Sequence, residues 1–216
     1  MRVDNAKTAA YLLIGLVVGM IVREFVRSFV ATRLGDATPR LWGRLSLNPK
    51  SWFDPFGSGL FPGLLLVLWA FGASFHPPPF AYAKPAPVDP SRWKSPRRDA
   101  IAISVAGPLS NVAVAVLPGL LLRIGASREL RVFLLAFLLA NLTLAVGHLL
   151  PIPGLDGARI IGVFLPPRAA EVYRNADQYL PLIMLVVFFL LANPLLSILT
   201  DLSGTLCRLL AGAANC

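Results

Sequence analysis

Two arginines and a glutamate stand in a chain segment that otherwise has the composition of a membrane helix. The stretch "REFVRSFVATRLGD", residues 23–36, follows directly on the apolar run "AAYLLIGLVVGMIV", residues 9–22. Arg23 and Arg27 are one helical turn apart and project from the same face, with Glu24 beside them. A guanidinium carries five N–H donors, stays protonated and has no lone pair to give a metal. An arginine at the bilayer centre costs about 2.5–3.5 kcal/mol on insertion scales, so charge at this depth calls for a function or a partner. The bland alternative is that both arginines lie near the cytosolic end and snorkel. Residues 9–22 cover only about 21 Å at 1.5 Å per residue, short of a hydrocarbon core of roughly 30 Å. Part of "REFVR" therefore lies at membrane depth.

Other patterns that could carry chemistry are weaker. "SRWK", residues 91–94, has a Ser-x-x-Lys form, but it falls in a proline-rich loop and such short matches arise by chance. No G-x-S-x-G or G-x-G-D is present, which argues against rhomboid-like or aspartyl intramembrane proteolysis. His76 and His148 are the only histidines; His76, in "SFHPPPF", reads as an interfacial residue. Cys207 and Cys216 are the only cysteines, which predicts neither a disulfide framework nor a thiolate metal cage. "GLVVG", Gly15 to Gly19, is a G-x-x-x-G, a close helix-packing face. It continues at four-residue steps into Arg23 and Arg27, so those side chains are expected to face protein.

The elements that must position these residues follow from composition. The chain has 216 residues, 56% hydrophobic and 14% charged, where a soluble domain averages about a quarter charged. Apolar blocks cover residues 9–31, 57–75, 100–122, 132–150 and 180–199, and a span needs about 20 such residues. The expectation is a single all-α polytopic membrane domain over residues 1–216, with four to five transmembrane helices. The N-terminal block runs on through charges without a small-x-small cleavage site, which predicts a retained helix rather than a signal peptide.

Lysines and arginines suggest the arrangement. If block 57–75 crosses, the two sides hold 8 and 10, with no bias; if it enters and leaves on one face, they hold 12 and 6. Cytoplasmic loops carry the excess, so a re-entrant segment with the N-terminus outside is favoured. Pro62, Gly63 and Gly72 suit such a broken element. Segments 37–49 and 80–88 read as small β elements near the membrane face, the second confined to an edge by its prolines. Such an edge could accept a partner strand. A net charge of +9 in a membrane chain points to topology and anionic lipid at the basic loops, not to nucleic acid.

In this setting the chain resembles the site-2 protease family of intramembrane zinc metalloproteases, in its short bacterial branch. The resemblance rests on ordered motifs over nearly the whole chain: "VATRLGDATPRLWGRLSLNP" (30–49), "DPFG" (54–57), "AKPAPV" (83–88), "PRRD" (96–99), "AGPLSN" (106–111), and Asn141 followed by "LLPIPGLDGARI" (149–160). It implies a multi-pass protein of the cell membrane, here a bacterial plasma membrane. In that family two histidines of H-E-x-x-H and the aspartate of L-D-G bind zinc, and the glutamate is general base. By this resemblance Glu24 matches the base and Asp156 the third ligand, while Arg23 and Arg27 stand at both histidine positions. The resemblance also implies a substrate groove over Asn141, His148, Tyr82 and Lys84, with His148 where the family carries an asparagine.

Two readings of these departures follow. In the first, the guanidinium groups stand in for the doubly charged metal. With Glu24 and Asp156 they form a four-member cluster of zero formal charge, no cofactor is expected, and the chain is an inactive homologue binding membrane proteins or transmembrane segments. In the second, Glu24, His148 and Asp156 form an altered zinc site in an active intramembrane metalloendopeptidase performing regulated intramembrane proteolysis; the adjacent arginines would repel that cation. His148 reads more simply as a hydrogen-bonding replacement for the asparagine. A transporter or channel is suggested by intramembrane charge alone, and the family motifs argue against it. Gly107 of "AGPLSN" is expected to pack closely on the first helix. For the re-entrant arrangement, single cysteines at positions 50 and 94 should label from the same side of the membrane; labelling from opposite sides would refute it.

Overall fold

A computed structural model of the chain describes residues 2–71, 80–190 and 192–216. The first helix, α1 (Arg2–Arg33), carries the apolar run and both arginines on one continuous rod. It stops because Gly35 adopts φ +106°, a conformation open to glycine. The Asp36 N–H then returns to Ala31 O and the Gly35 N–H to Thr32 O, the hydrogen bonds of a Schellman end. A short α2 (Thr38–Leu41), a π-helical turn (Pro55–Leu60) and α3 (Phe61–Ala70) lead to the described segment from residue 80. Two long helices follow, α4 (Pro96–Ile124) and α5 (Arg128–His148), then α6 (Asp156–Gly162), α7 (Pro167–Ala176), α8 (Leu180–Leu190) and α9 (Ala192–Ala211).

Helices α1, α4 and α5 form the central bundle, with α9 against α4 and α5, α3 against α1 and α6 against α4. The bundle closes tightly because α1 has no side chain where α5 crosses it. A methyl group on Gly15 would stand 2.8 Å from Ala140 Cβ, and one on Gly19 would stand 2.6 Å from Asn141 Oδ1. Leu12, Leu16 and Met20 pack with Ala136, Ala140 and Leu144 along this seam. Away from it, Leu117, Leu120 and Ile124 of α4 remain exposed, as lipid-facing positions should.

Among the described residues, three segments are long and apolar enough to cross a bilayer: Asn5–Arg33, Pro96–Ile124 and Arg128–His148. The other two blocks do not confirm the expectation of four to five spans. Block 57–75 supplies a helix of 10 residues, about 15 Å long, and its residues 72–75, like His76, lie outside the described residues. Block 180–199 is divided between α8 and α9.

The expected β elements are also corrected: no described residue belongs to a strand. Pro39 sits at the start of α2, where its fixed φ suits a helix, and segment 37–49 turns at Gly43 instead of extending. Segment 80–88 is extended but forms no ladder. Its Tyr82 and Lys84 N–H groups donate singly, to Gly57 O (3.1 Å) and Trp52 O (3.0 Å). "DPFG" explains this placement. Asp54 caps the π-turn through the Phe56 and Gly57 N–H groups, and Ser58 Oγ donates to Tyr82 O at 2.9 Å. The Tyr82 ring lies against Gly57, and burial, then Asp54, pushes its phenol up to about 12.

The cysteines form one bridge, Cys207–Cys216, which the sequence reading did not anticipate. It closes the end of α9 beside the end of α4, where Arg123 donates to Leu209 O and Leu210 O and Asn215 donates to Leu122 O.

At the other end of the bundle, buried Asp36 ties the exit of α1 to the segment before α4. Its Oδ1 accepts from Thr38 N (2.9 Å) and its Oδ2 from Asp89 N (2.7 Å). Burial acts to raise the carboxyl's pKa, but the bonds from Thr38 and Asp89 outweigh it and hold it below the usual range. A depressed folded pKa stabilises above the unfolded value and is lost as pH falls through the folded one. Asp36→Asn should therefore cost about 1–3 kcal/mol at pH 7, since an amide N–H would face a backbone N–H. The gap to the parent should close below about pH 4. Thermal melts in detergent at both pH values check this, and a pH-independent gap would contradict it.

Candidate functional site

Four buried charged side chains of the described residues come together at one point, where α1, α4 and α6 meet. Arg23, Glu24 and Arg27 lie within the bundle at 3%, 1% and 3% exposure, and Asp156 is fully buried. Asp156 reaches α1 because α5 ends at His148 and the chain turns back through "LPIPGL" to begin α6. Gly157 makes the return possible, since any Cβ there would strike the Leu149 and Leu150 carbonyls.

The four groups form a closed ring. Arg23 Nη1 donates to Glu24 Oε1, and Arg23 Nη2 donates to Asp156 Oδ2 at 2.5 Å. Arg27 Nη1 donates to both Glu24 oxygens at 3.1 and 3.2 Å, and Arg27 Nε lies 3.3 Å from Asp156 Oδ1. Each arginine thus bridges both carboxylates. Buried ion pairs recover their desolvation cost only with good geometry and several hydrogen bonds, and removing one partner typically costs about 3–5 kcal/mol.

A fifth member joins from α6: Arg159 Nη1 lies 3.7 Å from Asp156 Oδ1. The cluster is therefore five groups with one excess positive charge, not the neutral four expected. From the sequence alone Arg159 has no role beyond its place among the basic residues on the side that holds 12. Its spacing of three residues from Asp156 was the available signal, since such positions share a helical face. Burial raises and Arg23, Arg27 and Arg159 lower the Asp156 pKa, leaving it below the ordinary carboxylate range.

Gly107 seats the arginines. A methyl group there would meet Arg27 Cδ at 2.9 Å and Arg23 Cγ at 3.1 Å, so α4 lies directly on the two side-chain stems. His148 is buried next to Phe80, with ring centroids 5.0 Å apart, and its Nδ1 is 2.8 Å from Leu144 O. Its Nε2 is buried and has no hydrogen-bond partner.

The four residues assigned to a substrate groove do not share one open surface. Asn141 is fully buried at the α1–α5 seam, its Nδ2 donating to Phe137 O at 2.9 Å. His148 is equally enclosed, Tyr82 lies under the π-turn, and Lys84 is exposed. The close approach that Gly15 and Gly19 permit is what covers Asn141.

A search against protein-family models gives no match, and no solved structure matches the chain. Curated proteins do. The chain is 34% identical over 188 residues to the Bacillus subtilis protein named putative zinc metalloprotease YwhC, covering 82% of this chain and 80% of that protein. It is 33% identical over 170 residues to putative zinc metalloprotease Rip2 of Mycolicibacterium smegmatis, covering 77% of this chain and 61% of the relative. The Mycobacterium tuberculosis Rip2 is 31% identical over 168 residues, or 73% of this chain and 58% of that protein. The chain belongs to their site-2 protease-like family.

For a member of a site-2 protease-like family, the donor set at this site is unusual. Tetrahedral zinc needs four lone-pair donors at about 2.0–2.3 Å. Arg23 and Arg27 supply none, both Glu24 oxygens and Asp156 Oδ2 accept from guanidinium N–H groups, and Asp156 Oδ1 faces Arg27 and Arg159 as an ion pair. Among the described residues no three of His, Cys, Asp and Glu converge as metal ligands. The residues present do not fit a zinc ion, and a cation here would face Arg23, Arg27 and Arg159 together.

Gly107→Ala should cost about 1–3 kcal/mol, the usual range for overpacking. Gly107→Leu should prevent assembly, because the arginine stems are pinned at their far ends by the ring. Size-exclusion profiles and melting in detergent read this; a neutral leucine variant would mean that α4 does not rest on the arginines.

Proposed function

We propose that this chain is a catalytically inactive member of its site-2 protease-like family that binds membrane-protein segments or partners. One observation carries the reading: the residues matching general base and third ligand, Glu24 and Asp156, are each bridged by Arg23 and Arg27. On this reading both zinc-binding histidines are replaced by arginine, and the guanidinium pair does the cohesive work of the ion. A base with no metal-activated water supplies only about 10²–10⁴-fold on its own. Retention of both carboxylates is then explained by their role as counter-ions.

The same reading places the chain in a bacterial plasma membrane with its N-terminus outside and the 12 basic residues of the three large loops in the cytoplasm. The disulfide supports this orientation. It lies at the end of α4 away from Pro96, and such bonds persist in oxidising compartments.

A second reading is favoured by one observation, the unpartnered buried Nε2 of His148. It keeps the chain as an active metalloendopeptidase acting through Glu24, His148 and Asp156, in line with the zinc metalloprotease names of its relatives. Metal analysis and cleavage of a transmembrane reporter separate the two. We expect purified protein to hold no stoichiometric zinc and to cleave nothing, and Arg23→His/Arg27→His to bind zinc, since Asp156 and the four-residue spacing remain. Chelator-sensitive cleavage by the unmodified protein that Glu24→Gln abolishes would establish the second reading instead.

A further inference from the structure

A cavity of about 540 Å³ opens beside the charge cluster, between the start of α4, the segment before it, and helices α6 and α7. Its volume lies within the range of small-molecule sites, about 300–1,000 Å³. Four arginines line it, Arg27, Arg97, Arg159 and Arg174, against a single acid, Asp177. That acid accepts from Gly154 N at 2.6 Å through Oδ1 and, as one carboxylate that also attracts Arg159, offsets only part of the arginine charge.

The positive charge is not balanced within the protein. Arg27 is neutralised inside the ring, but Arg97 and Arg174 form no ion pair with any described residue. Arg159 shares Asp156 with two stronger partners, its own contact being 3.7 Å. Burial first, then Arg27, pushes the Arg159 guanidinium down to about 10 against the pull of Asp156, Asp177 and Glu24, so it remains charged at neutral pH.

The remaining walls set the shape of the ligand. Ile103 and Val163 give apolar surface, and Trp93 and Tyr173 give aromatic edges. Tyr173 is held in place by its hydroxyl, which donates to Pro151 O at 3.0 Å. Guanidinium forks match the geometry of phosphate oxygens and bind them bidentately. Arginines from three separate elements lining one cavity together with apolar side chains suit a phosphate that carries an apolar group rather than a bare halide or carboxylate.

We propose that this cavity binds a phosphate ester through Arg97, Arg159 and Arg174, with the ester's apolar part on Ile103 and Val163. Two sources share this chemistry, an anionic phospholipid headgroup at the membrane surface and a soluble phosphate ester. Anionic lipid is drawn to basic cytoplasmic faces in any case, so both need testing.

The test uses the full chain in detergent with three probes: inorganic phosphate, dioctanoyl phosphatidylglycerol, and dioctanoyl phosphatidylcholine as zwitterionic control. Melting temperature and tryptophan fluorescence are followed, with Trp93→Phe identifying the responding ring. We expect a saturable rise in Tm and a change in Trp93 emission with phosphate or phosphatidylglycerol, and none with phosphatidylcholine. Arg97→Gln/Arg174→Gln, two exposed positions outside the buried ring, should melt like the parent without ligand and bind at least tenfold more weakly. If that pair is unstable, either single variant serves, and Val163→Trp should block the cavity without changing its charge. A response to phosphate alone assigns a soluble ester, and one that needs phosphatidylglycerol assigns the lipid. Equal responses to phosphatidylcholine, unchanged binding in the arginine variants, or no binding of either anion would overturn the proposal.

Discussion

Two guanidinium groups and two carboxylates, sealed from water and each touching two of the others, determine how the helices of this protein come together. Each of the four is a buried charge that is costly to hold without its partners. Arg23 and Arg27 need Asp156 to complete their ring, so α6 must return to α1; Asp156 needs both arginines, so α1 must turn this face inward. The arginine pair meets this requirement through donor geometry, with directional N–H contacts to both carboxylates.

That constraint passes outward through residues that are themselves uncharged. Gly107 lets α4 lie on the arginine stems, and Gly15 and Gly19 let α5 close on α1. The opposite ends of the bundle are then tied by separate devices, the Asp36 hydrogen bonds at one and the Cys207–Cys216 bridge with Arg123 at the other. Excess positive charge remains on one side of the ring only, toward Arg159, and that side opens into the arginine-lined cavity.

Much of this was legible in the sequence. The i, i+4 spacing of Arg23 and Arg27, the G-x-x-x-G preceding them and the glycine of "AGPLSN" each named an inward face, because helical periodicity alone fixes which residues share it. Arg159 could have been found by the same rule and was overlooked among loop charges. The rest depended on contacts that no local pattern encodes. Alternation in segments 37–49 and 80–88 imitates strands, but Pro39 starts a helix and segment 80–88 finds single backbone partners at Trp52 and Gly57 rather than a sheet edge. Asn141 looked available for a groove until the α1–α5 crossing covered it. The cysteine bridge required knowing that the chain turns back after Ala211, which two cysteines near one end do not disclose.

The central claim is that Arg23 and Asp156 hold each other in the folded state, and a double-mutant cycle on Arg23→Met and Asp156→Asn measures it most directly. Equilibrium unfolding in detergent gives four stabilities and one coupling energy. Arg23→Met removes two ion pairs of the buried ring and Asp156→Asn three, and each should cost about 3–5 kcal/mol. The double variant should cost clearly less than the sum, with a coupling of about 2 kcal/mol or more, in the upper part of the range found for residues in one network. Costs that add to within about 0.5 kcal/mol would contradict the account, since independent residues behave that way.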